Sequence, residues 1–158
     1  MNNKILMISI KTLKDNYTVD DNLEDKYLIS NIQKGMDFVI RPTIGDALYD
    51  EILVQINNGE LSEKNRRILS QIEPVLAYFV LSEVVYSTAY KLKNKGLEDG
   101  SDSNRFNELV RVSKKYLLDS QHYQKLLEKE LLKNEFNGTN SSDKKSSSKI
   151  YKTGLFLG

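Results

Sequence analysis

The chain has 158 residues, 39% apolar and 28% charged, with 23 Lys+Arg against 22 Asp+Glu, one His and no Cys. That is the length of one domain, able to bury roughly 70% of its unfolded surface without disulfides or a structural metal. The missing cysteines remove thiol catalysis and Cys-ligated metal, and a single His leaves no His pair for a metal and no Ser/His relay.

Residues 5–13, Ile-Leu-Met-Ile-Ser-Ile-Lys-Thr-Leu, partly alternate and are β-branched in places, so residues 1–20 are expected to form an extended arm. No small-residue cleavage site follows this apolar run, so no signal peptide is expected. Asp21-Asn22-Leu23-Glu24 has the spacing of a capping box and predicts a helix start. Leu28, Ile32, Met36 and Val39/Ile40 then recur on one helical face, and Pro42 is expected to end the pattern. A second helix is written by Ile44, Leu48, Ile52 and Ile56 and closed by Asn57-Asn58-Gly59.

Ser62 is a cap for a third helix, whose apolar positions run from Ile68 to Val84. Pro74 conflicts with it, predicting a kink or a new start. The longest unbroken apolar run, Val75 to Leu81, is far short of the roughly 18 residues that span a membrane, so no membrane partner is expected. Asn94-Lys95-Gly96 stops the helix, with Lys91, Lys93 and Lys95 where the macrodipole favours cations. After the loop Asp99 to Asn104, a stripe from Phe106 to Leu131 predicts a fourth helix of about 28 residues, roughly 40 Å long, paired with the third as an antiparallel hairpin.

Residues 137–149 contain only Asn, Gly, Thr, Ser, Asp and Lys and read as a linker. The segment 150–158, Ile-Tyr-Lys-Thr-Gly-Leu-Phe-Leu-Gly, is apolar and strand-competent again. The expected architecture is therefore all-α: a bundle of about four helices over 21–136, an extended arm before it, and a tethered apolar segment after it.

Little in this pattern carries catalysis, and neither an enzyme activity nor a cofactor nor a metal site is expected. His122 has no other His or Cys to join it, and reads as an ordinary surface or packing residue. Asp46, Asp50 and Glu51 could make a carboxylate pair or an oxygen-ligand site, but near a helix N-terminus they read first as a solvated acidic face. The acidic loops at Asp15 to Asp25 and Asp99 to Asn104 lack the spacing of a calcium loop. Arg66-Arg67, Lys91/Lys93/Lys95 and Lys114-Lys115 are short basic groups flanked by acids, a weak signal for nucleic acid. Tyr78, Tyr86, Tyr90, Tyr116 and Tyr123 are expected to edge the core or to lie in protein interfaces. The apolar side chains of Ile8 and Ile10 in the arm, and of Ile150, Tyr151, Leu155, Phe156 and Leu157 in the tail, are candidate docking groups for a neighbouring subunit.

Ile40-Arg41-Pro42-Thr43-Ile44-Gly45-Asp46-Ala47-Leu48-Tyr49-Asp50-Glu51-Ile52 resembles the Ile-x-Pro-x-x-Gly-x-x-Leu-Tyr-x-x-Ile stretch of tailed-bacteriophage head–tail connector proteins, also called adaptor or head-completion proteins. Pro42, Gly45, Leu48 and Tyr49 carry the likeness. Pro74-Val75-Leu76-Ala77-Tyr78, the Asn94-Lys95-Gly96-Leu97 turn and a long last helix with Tyr123 and Leu127 extend it over about residues 20–134. It points to the crAss-like group, large phages of gut Bacteroidales. The resemblance implies a structural virion protein, made in the bacterial host cytoplasm, of which several copies, commonly twelve, form a ring at the head–tail junction. Such a ring binds the portal, lets genomic DNA pass without sequence recognition, and gives the tail or further rings a docking surface. Two other readings stay open: a helical DNA-binding protein of packaging or regulation, and a helical protein-interaction module outside any virion.

Overall fold

The computed structural model describes residues 4–96 and 100–138 and is all-α, with no strand among the described residues. Six helices follow in order: α1 (Ile10–Asn16), α2 (Asp25–Gly35), a π-helical turn (Met36–Ile40), α3 (Arg41–Ile44), α4 (Asp46–Asn58), α5 (Glu63–Asn94) and α6 (Gly100–Gly138). The antiparallel pair α5/α6 forms the spine; α2 packs on α5, α3 on α6, and α4 on α3.

The ends of α4 and the start of α5 form as the sequence predicts. Gly59 caps α4 in the left-handed region at φ 71°, which a glycine adopts without a Cβ penalty. Ser62 Oγ accepts the Asn65 amide at 3.1 Å and opens α5. Buried Asn65 donates its Nδ2 to Glu51 at 2.6 Å and to Gln55 at 3.0 Å, which locks α4 to the first turn of α5.

Four expectations are corrected. Ile10–Asn16 is helical rather than extended, capped by Ser9, whose Oγ accepts the Thr12 amide at 3.0 Å. Met7, Ile8, Leu13 and Val19 are buried in the same core as α2 and α5, so the domain begins well before residue 21. α2 starts at Asp25, because Asp20 Oδ1 accepts the Asn22 amide in a local turn and no side-chain hydrogen bond caps at Glu24. Pro42 does not end the helical run either. The widened π turn precedes it, and Pro42 sits in the first turn of α3, where its missing N–H is tolerated.

α5 passes through Pro74 without a break, since Ile72, Val75 and Leu76 on both sides are fully buried and their packing outweighs one missing backbone bond. α6 is longer than its stripe predicts, taking in the loop residues before Asn104 and reaching Gly138. Where the helices cross, small side chains let the backbones approach: Ser120 Oγ donates to the Val75 carbonyl at 2.8 Å, and Ser113 Oγ to the Ser82 carbonyl at 3.0 Å. An 18-residue window of α5 reaches a mean hydropathy of 1.5, enough by length and composition to cross a bilayer, and half of it is buried inside the bundle.

Candidate interaction surface

The resemblance motif folds into one compact corner. Gly45, at φ 83° and ψ 156°, makes the turn between α3 and α4, a conformation that a side chain would strain. The turn brings Tyr49 down into the core, 4% exposed, with its hydroxyl donating to Asp37 at 3.2 Å. Burial and the Asp37 carboxylate push that phenol up to about 12, so it stays neutral and donating. The Arg41 guanidinium lies 5.0 Å from the Tyr49 ring and pairs with Asp46 at 2.7 Å and with Asp50 at 3.8 Å. The two carboxylates that the sequence offers as a possible oxygen-ligand site thus face an arginine. Leu48 is half-buried against the core, and Thr43 bridges outward, donating to the Val39 carbonyl at 2.6 Å and accepting Gln124 Nε2 from α6 at 2.9 Å.

Beside this corner lies an open groove of about 1110 Å³, walled by the α3–α4 turn, the start of α5 and the last described turns of α6. Ile44, Leu48, Ile68 and Leu131 supply apolar walls, while Glu51, Glu128 and the Arg41-paired Asp46 supply carboxylates beside Lys64. The sequence reading missed this groove, because its walls come from three segments that only the hairpin brings together.

A second surface is carried by α6 alone. Ser113, Ser120 and Leu127 face inward, whereas Leu118 and Leu132 are 65% and 64% exposed. Leu118 lies on a side of α6 turned from α5, whereas Leu132 lines the groove beside the α3–α4 turn. Phe38 in the π turn and Val54 on α4 are also open, at 74% and 58%.

The remaining candidates separate cleanly. Ile8 is 3% exposed, buried in its own domain, and Ile10 is half-buried against the core. Ile150, Tyr151, Leu155, Phe156 and Leu157 lie outside the described residues. Tyr78, Tyr116 and Tyr123 edge the core as expected: Tyr78 stacks on Tyr123 at 5.5 Å and on Tyr116 at 6.2 Å, and Tyr17 meets Tyr78 edge-on at 5.7 Å. Tyr86 and Tyr90 instead form an exposed pair, 4.9 Å apart. His122 is on the surface, edge-on to Tyr123. Among the basic groups, Arg67 pairs with Glu130 at 3.2 Å, Lys91 lies over Tyr27, and Lys93 lies over Tyr90 and Phe106.

Residues 40–149 match the model of a family of unknown function, DUF6712. The chain belongs to DUF6712. The matched span starts at Ile40, the first residue of the corner motif, takes in α3 to α6, and stops just before Ile150. No curated protein and no solved structure matches the chain.

Proposed function

We propose that this DUF6712 chain is a structural assembly protein, a subunit of an oligomeric ring at the head–tail junction of a tailed phage. The observation that carries the reading is Leu118, 65% exposed on a helix whose opposite face already fills the core. A large apolar side chain on an open helix face can anchor a copy-to-copy contact, since burying it stabilises that contact by about 1.5–3 kcal/mol. The resemblance of residues 40–52 to connector proteins supplies the specific role, with the portal, tail or further ring proteins as partners and genomic DNA passing through without sequence recognition. The near balance of charge, 23 cations against 22 anions, suits a channel wall that lets DNA slide.

Co-expression with a candidate tailed-phage portal protein, followed by negative-stain imaging, tests this reading. A ring seated on the portal supports it. A chain that ignores the portal and binds DNA with a steep salt dependence would favour the DNA-binding alternative instead.

A further inference from the structure

We propose that the groove between the α3–α4 turn and the end of α6 is the seat of this chain's own apolar segment, Ile150–Leu157, folded back in cis. At about 1110 Å³ and open to solvent, the groove has room for a short peptide.

Three observations select the occupant. The first is position: Asn134, on the rim, is four residues before Gly138, where α6 ends, so the tail leaves the helix about 6 Å along its axis from the groove. The second is reach. The eleven residues 139–149 span about 17–20 Å on average as an unstructured chain and at most about 36–40 Å, ample for a return to the same groove. A tether this short holds its end near the groove at an effective concentration in the millimolar range, which favours the chain's own segment over a neighbour's. The third is charge. Glu51 and Glu128 line the groove together with Asp46, which is already paired with Arg41, and Lys64 is the cation among its described lining residues. The segment that would enter carries Lys152 and is preceded by Lys144, Lys145 and Lys149, against Asp143. Leu155, Phe156 and Leu157 then cover Leu48, Leu131 and the open side chain of Leu132 while the lysines meet the acidic rim. This placement does not depend on the chain forming a ring.

The test uses the full chain, mixed in equal amounts as nitrogen-15-labelled and unlabelled protein, with a carbodiimide that joins a lysine to a carboxylate only where the two touch. Expected are peptides joining Lys149 or Lys152 to Asp46, Glu51 or Glu128, with both halves of one isotope. Replacing Leu155→Glu and Phe156→Glu together, outside the folded core, should lower their yield at least tenfold. Joined peptides of mixed isotope would place the tail on a second copy and overturn the proposal. Joins that miss these carboxylates, or that survive the double substitution, would overturn it as well.

Discussion

Tyr49 donates its hydroxyl to Asp37 at 3.2 Å, tying α4 to the π turn that precedes Pro42. This bond holds the corner motif together from inside, while Arg41 closes it from outside through Asp46 and Asp50. Tyr49→Phe keeps the ring in the core and removes the bond, so a loss of about 1 kcal/mol in chemical denaturation is expected, with an unchanged fold by circular dichroism.

The same phenol and that of Tyr17 set an alkaline limit. Tyr17 donates to Glu73 at 3.3 Å, and its burial, with that carboxylate beside it, pushes it up to about 12, as burial and Asp37 do for Tyr49. Both sit above the ordinary value of 10, so the folded state favours the protonated form. Their contribution is fully present below pH 10 and is lost as pH rises from 10 through about 12. A thermal midpoint flat to pH 10 and falling beyond it is expected. The Tyr17→Phe/Tyr49→Phe double variant should flatten that fall, and its ultraviolet phenolate absorbance should lose two of the late-titrating tyrosines, a group to which Tyr78 and Tyr86 also belong.

Two glycines separate crowding from backbone strain. A Cβ at Gly35 would meet Leu76 Cδ2 and Phe79 Cδ1, each at 2.9 Å, where α2 closes on α5. Both are side-chain atoms able to shift partway, so Gly35→Ala is expected to lower stability by about 1 kcal/mol after its helix-propensity gain. A Cβ at Gly45 would touch nothing, but φ there is +83°. Gly45→Ala should therefore cost about 1–3 kcal/mol through the backbone alone. Filling space nearby would not rescue Gly45→Ala, whereas Phe79→Leu should partly rescue Gly35→Ala in a double-mutant cycle.

The α5/α6 crossing depends on small residues. Ser120 is 2% exposed and donates to the Val75 carbonyl. Ser120→Ala is expected to lose about 1 kcal/mol, and Ser120→Leu about 1–3 kcal/mol by forcing the helices apart. If both variants unfolded at the wild-type denaturant midpoint, this packing account would fail.

Most of the fold is legible in the sequence because it is written in local signals: Ser62 as a cap, Gly59 and the Asn94-Lys95-Gly96 stop as ends, and the stripe through Ser113, Ser120 and Leu127 as the inward face of α6. The corrections come where distant packing overrides such signals. Residues 5–13 look extended because Ile5, Ile8 and Ile10 are β-branched, yet Met7, Ile8 and Leu13 find burial against α2 and α5, and a short helix makes that packing possible. Pro42 and Pro74 both look like breaks, and both are absorbed, one by a widened turn and the other by a fully buried helix. The groove was not legible because no single segment contains it. The open side of α6 left a trace, since Leu118 falls off the core stripe.

Native mass spectrometry of the full chain, alone and with the portal protein, tests the central claim most directly, with Leu118→Glu as the companion variant. A connector subunit gives a discrete ring-sized oligomer, alone or on the portal. Leu118→Glu should abolish that oligomer while leaving monomer stability within about 0.5 kcal/mol, because Leu118 is 65% exposed in the single chain. A chain that stays monomeric with and without the portal, or a ring indifferent to Leu118→Glu, would contradict the claim.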